Sequence, residues 1–95
     1  MKTRRVVVTG IGALTPIGNN LKDYWSALKE GVSGAAPITC FNAENFKTKF
    51  ACEVKNFEVT NFIHRKEARK LDKFTQYALV VAEEAYNDSF LKKED

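Results

Sequence analysis

The run Arg5-Val6-Val7-Val8-Thr9-Gly10-Ile11-Gly12 constrains the fold more than any other stretch of this 95-residue chain. Val6 to Thr9 are all β-branched, and alternate side chains of a strand point to opposite faces, so the valines make this run apolar on both sides. A strand of that kind is stable where helices cover both faces, as in parallel sheets. The pattern predicts a buried central strand stopped by glycines, and with it an α/β architecture.

The next elements follow from local signals. Leu14-Thr15-Pro16-Ile17-Gly18 reads as a turn-rich loop, and Asn20 is placed to cap a helix, with Asp23 three residues on near the capping-box position. Leu21, Tyr24, Trp25 and Leu28 then fall on one helical stripe, which Gly31 is suited to end in the left-handed conformation. Between Val32 and Thr60 the pattern is that of loop, except that Phe50, Cys52 and Val54 alternate with charged or small residues as one short, half-exposed strand would. Ala68, Leu71, Phe74, Thr75, Ala78, Val81, Ala82 and Ala85 predict a single helix from about Arg65 to Asn87, uninterrupted by Gly or Pro. Its first half is amphipathic. Its second half, with Tyr77, Leu79, Val80 and Tyr86 around the remaining sides, reads as buried nearly all round.

These elements are too few for one another. A strand covered on both faces needs parallel neighbours, and a helix wrapped in apolar side chains needs more layers than a second short helix and one weak strand supply. Residues 1–95 are therefore expected to be the N-terminal part of a larger α/β domain, not a complete one, ending in a polar connection at Leu91-Lys92-Lys93-Glu94-Asp95. With 44% apolar and 28% charged residues and only two prolines, the composition is that of a folded chain. No uncharged apolar run approaches the ~18 residues of a membrane helix, and the first residues lack the apolar core of a signal peptide, so the expectation is a cytoplasmic protein with no membrane partner.

Net charge is +3, from fifteen basic and twelve acidic residues, and its distribution says more than its size. Arg65, Lys66, Arg69, Lys70 and Lys73 share a ten-residue window with only Glu67 and Asp72, which leaves ten charges of each sign elsewhere. Such an uncompensated face suits an acidic partner attracted at long range. A self-contained basic module for an acidic protein or a nucleic acid is the alternative. Against nucleic acid stand the absence of a helix-turn-helix spacing and the scarcity of polar side chains for reading bases.

Other motifs carry less. Gly10-x-Gly12 after a strand begins a dinucleotide-binding fingerprint, but Thr15 occupies the third glycine position, the helix starts several residues late, and no acid closes a second strand about 20 residues on. The two glycines read instead as a tight exit from the strand, and no cofactor is expected. Cys40 and Cys52, with eleven residues between them and one histidine in the chain, make neither a disulfide framework nor a structural zinc site. Cys52 is expected to point inward with Phe50 and Val54 as an inert thiol. His64, three residues before Glu67, reads as a helix start.

Three segments at matching separations carry a family resemblance: Val6-Val7-Val8-Thr9-Gly10-Ile11-Gly12-Ala13-Leu14-Thr15-Pro16-Ile17-Gly18-Asn19, then Tyr24-Trp25-Ser26-Ala27-Leu28, then the stretch from Arg65 to Ala78. Together they resemble the start of a β-ketoacyl-acyl carrier protein synthase, most closely the type II elongating enzymes, with type II polyketide ketosynthases sharing much of the same start. The resemblance implies a thiolase-like fold of layers α/β/α/β/α, of which this segment holds one buried strand, two helices and one short peripheral strand. It implies a homodimeric acyltransferase of fatty-acid synthesis that condenses malonyl-carrier protein with an acyl thioester and releases CO2. The family's nucleophilic cysteine and two histidines lie farther along than residue 95, so none of Cys40, Cys52 and His64 takes a catalytic role and the segment alone is expected to be inactive. What the resemblance places within this chain is carrier-protein docking, at Lys66, Arg69 and Lys70 with Arg65 and Lys73 as neighbours. Metal and cofactor sites are not implied.

Overall fold

The computed structural model describes residues 3–91. Asn20 takes an extended conformation, its side-chain oxygen accepts from the Asp23 amide at 2.9 Å, and its Nδ2 donates to the Asp23 carboxylate at 3.1 Å. This reciprocal cap starts helix α1, Leu21–Glu30, where the sequence predicts it. Gly31, at φ 71° and ψ 28°, ends the helix, its amide bonding to the Leu28 carbonyl while that of Val32 reaches Ala27, the Schellman pattern. Of the expected stripe, Leu21 and Tyr24 are half-buried, but Trp25 remains 55% exposed and Leu28 is exposed as well.

The predicted strand at Phe50 exists, as β2, Phe50–Cys52. It pairs antiparallel with β1, Ala35–Pro37, which lies inside the range read as loop; the register is Ala35 to Cys52, Ala36 to Ala51 and Pro37 to Phe50. The expected phase is reversed. Ala51 is the half-covered residue, whereas Phe50 and Cys52 are both exposed, so Cys52 is not the inward thiol that its alternation suggests. Polar clamps, not apolar burial, fix this hairpin. Glu53 accepts from the Thr39 amide and hydroxyl and from the Cys40 amide at 2.9–3.3 Å, and Lys55 Nζ donates to the carbonyls of Pro16, Gly34 and Glu53 at 3.0–3.1 Å.

The single long helix expected from Arg65 to Asn87 is two helices, α2 at Arg65–Ala68 and α3 at Lys73–Ser89. Asp72 is extended (φ −69°, ψ 158°), which breaks the chain between them and starts α3. The break is stabilised from within: the Gln76 side-chain amide donates to the Ala68 carbonyl at 2.9 Å, which also accepts from the Leu71 amide, and to the Leu71 carbonyl at 3.3 Å, tying the first turn of α3 back to the end of α2. At the far end Phe90 is left-handed (φ 60°), a conformation that disfavours residues with a Cβ.

The buried face of α3 is also rotated from the expected one. Val80, on the side opposite Leu71, is 5% exposed, while Phe74, Ala78 and Ala82 of the predicted stripe are exposed, and so are Leu79 and Tyr86, so the second half is not buried all round as its composition suggests. The reason lies in residues 10–13. A Cβ on Gly10 would stand 2.2 Å from the Ala85 carbonyl oxygen and one on Gly12 2.1 Å from that of Val81, so the glycines let this segment lie directly on the α3 backbone. Two α3 carboxylates hold it there. Glu84 accepts from the amides of Ala13 (2.8 Å) and Leu21 (2.9 Å), and Asp88 from that of Ile11 (3.0 Å).

The run ahead of those glycines is not the covered strand its composition describes. The only sheet among the described residues is β1 and β2, and Val6 and Val8 stand 89% and 79% exposed. A strand apolar on both faces needs flanking strands, and none of the described residues supplies them. Only Ala43, Ala68 and Val80 are buried among the described residues. The radius of gyration is 17.2 Å, against roughly 12 Å for a compact domain of this length. The surface is 8361 Å², where a closed monomer of this mass would expose about 5,500 Å². The final polar connection lies, from residue 92 onward, outside the described residues.

Candidate functional site

The basic window is set on a short scaffold. His64 caps α2, its Nδ1 accepting from the Lys66 amide at 3.2 Å, as its spacing to Glu67 predicts. The helix packs on a 3₁₀ turn, Val59–Asn61, beside an aromatic cluster in which Phe57 stacks on Phe62 (5.8 Å, 15°) and meets Tyr77 edge-on (5.4 Å, 81°). Ala68 is buried and Leu71 half-buried, and these two apolar residues fix which way the segment faces.

Arg65, Lys66, Arg69, Lys70 and Lys73 are all exposed. They do not form one helical stripe, because Arg69 and Lys70 lie in the turn after α2 and Lys73 opens α3. What the structure brings together is a helix–turn–helix-start corner whose outer side carries five cations while its inner side carries Ala68 and Leu71. Lys73 also borders an open cavity lined by Phe57, Glu58 and Tyr77 among others, and exposed cations grouped in this way attract an acidic surface at long range.

The remaining sequence candidates fall elsewhere. The Cys40 thiol is pushed above its ordinary value, first by its hydrogen bond to Glu53 and then by desolvation and the Glu53 charge, and a thiol held protonated is a poor nucleophile. Glu53 is drawn down to about 2, first by the Cys40 thiol and then by the Thr39 hydroxyl and amide. Among the described residues no cluster of three His, Cys, Asp or Glu could hold a metal, and no helix is long and apolar enough to cross a membrane. Sequence reasoning missed Glu84 and Asp88, which engage the amides around Gly10-x-Gly12. Glu84, with Glu83 before it, separates the apolar run Val80-Val81-Ala82 from Ala85, and an acid on the inner side of such a helix is the signal that marks it.

The fold is that of a ketosynthase. Over 97% of its length the chain superposes on "The ishigamide ketosynthase/chain length factor" with a TM-score of 0.87 and 40% identity, covering 23% of that chain. The family model described as "Beta-ketoacyl synthase, N-terminal domain" matches residues 3–95, and this chain belongs to that family. Curated relatives named 3-oxoacyl-(acyl-carrier-protein) synthase 2 are 48% identical over 96% of the chain in Synechocystis sp. and 48% over 97% in Vibrio harveyi. A third, from Staphylococcus aureus, is 46% identical over 99%. The chain spans 22–23% of the length of these relatives.

Proposed function

We propose that this chain is the N-terminal part of a 3-oxoacyl-(acyl-carrier-protein) synthase II, in which it supplies core structure and a carrier-protein docking corner. The complete enzyme condenses malonyl-carrier protein with an acyl thioester, releasing CO2, in cytoplasmic fatty-acid synthesis, and works as a homodimer without nucleic acid, membrane or cofactor. The observation that carries this reading is 46–48% identity to three such synthases across nearly the whole chain. The open surface and near-empty core support the incomplete domain: Val6, Val8 and the outer side of α3 have the composition of buried residues and are covered, in this reading, by the rest of a layered thiolase-like fold. A type II polyketide ketosynthase is the second reading, supported by the 40% identity to the ishigamide ketosynthase chain.

Docking falls to Lys66, Arg69 and Lys70, with Arg65 and Lys73 beside them. Exposed cations on a rigid corner chiefly raise the association rate and fix orientation. In the complete enzyme, the combined reversal Lys66→Glu, Arg69→Glu and Lys70→Glu is expected to raise KM for carrier-bound substrate several-fold or more and leave kcat with short, carrier-free thioesters nearly unchanged. The wild-type affinity should also weaken as salt shortens the Debye length from about 30 Å to about 8 Å, and that of the triple variant should not. An unchanged carrier KM in a folded triple variant overturns the docking assignment.

A further inference from the structure

Gly10-x-Gly12 ahead of α1 has the ingredients of a phosphate cradle: successive amides on a glycine loop and the first amide of a helix. The structure shows what those amides bind. Ala13 and Leu21 donate to the two oxygens of one carboxylate, Glu84, at 2.8 and 2.9 Å, and Ile11 donates to Asp88, one helical turn further along α3, at 3.0 Å. The contacts join residues 63 to 77 positions apart, so they are tertiary bonds and not local caps. Leu21 opens α1, where the helix dipole favours a negative charge. The glycines serve the same end, since a side chain at Gly10 or Gly12 would collide with α3 and hold the amides off the acids.

We infer that the amides of Ile11, Ala13 and Leu21 form an anion cradle that the chain fills with its own carboxylates, and that Glu84 is the positioning residue that seats the loop and the start of α1 on α3. The role needs an anion with two acceptor oxygens, not merely a side chain of that volume. An open cavity of about 530 Å³ is lined by Lys22, Trp25, both acids and two of the three donor residues, Ile11 and Leu21. Once the Glu84 carboxylate is removed, that opening admits a small free carboxylate to the vacated amides.

The test is hydrogen exchange followed by mass spectrometry on segment 10–21 of the complete protein. In Glu84→Ala, exchange there should rise roughly tenfold, the effect of losing about 1.4 kcal/mol of charge-assisted hydrogen bonding. Formate should reverse much of that rise, and chloride at equal ionic strength should not. Should Glu84→Ala fold only in the presence of formate, the inference stands in its strongest form. Glu84→Gln keeps the volume but offers one acceptor and a clashing NH2 donor, so exchange should rise in this segment in that variant too. Wild-type exchange in either variant, or formate acting no better than chloride on Glu84→Ala, would overturn the inference. A packing role alone predicts no distinction between the two anions.

Discussion

Helix α1 and the run Arg5–Gly12 are neighbours in sequence, yet one is finished within the chain and the other is not. The helix has an asparagine cap with a reciprocal carboxylate bond, a glycine stop with both Schellman bonds, and a first amide satisfied by Glu84. The valine run has no ladder partner among the described residues and leaves its side chains in solvent. Polar groups are satisfied over short distances and at known angles, so their rules close within a few residues or a single tertiary contact. Apolar surface only has to be covered, and nothing in the run says what covers it.

The contrast breaks most directly at Gly12, where the two regions meet on α3. Gly12→Ala places a Cβ 2.1 Å from the Val81 carbonyl oxygen, a backbone atom that cannot swing aside, and should lower the unfolding free energy of the complete protein by about 3 kcal/mol, read from its denaturation midpoint. A loss below about 0.5 kcal/mol would mean that the run is not held against α3. A smaller effect is expected within the finished region. Asn20→Ala removes one cap and should cost about 1 kcal/mol, with faster exchange confined to the first turn of α1.

The smallest effect concerns the hairpin. Glu53 lies at about 2 against an ordinary 4.5, so its folded form binds a proton less readily than its unfolded form. Its stabilising contribution is complete above pH 4.5 and disappears as pH falls through about 2. The Thr39 and Cys40 amide resonances should therefore titrate near pH 2, and Glu53→Gln should abolish that titration. A midpoint near 4.5 would show that the clamp does not form.

The same division explains what the sequence made legible. Asn20, Gly31 and His64 do what their spacing predicts, because each acts within five residues of itself. The five basic residues were visible as an excess of charge, and they are exposed as expected. Strand β1 was invisible because Ala35-Ala36-Pro37 has no alternating pattern and is held by its pairing with β2 and by clamps from distant side chains. The break before α3 contains neither Gly nor Pro; it depends on Asp72 turning extended and on Gln76 reaching back to Ala68, which helical periodicity does not register. The rotated face of α3 has the same origin, since contacts with residues 10–13 decide it.

The clamp of Glu84 and Asp88 on the first glycine loop also sets a timetable. Ile11 leaves the ribosome 77 residues before the acid that receives its amide, and at roughly 5–20 residues per second that interval lasts about 4–15 seconds. The β1–β2 hairpin, whose paired residues lie at most seventeen apart, meets no such delay. Throughout the wait residues 10–13 have nothing to dock on, and the uncharged Val6-Val7-Val8 beside them waits longer still, open to chaperones or to a neighbouring nascent copy, because α3 leaves those valines uncovered.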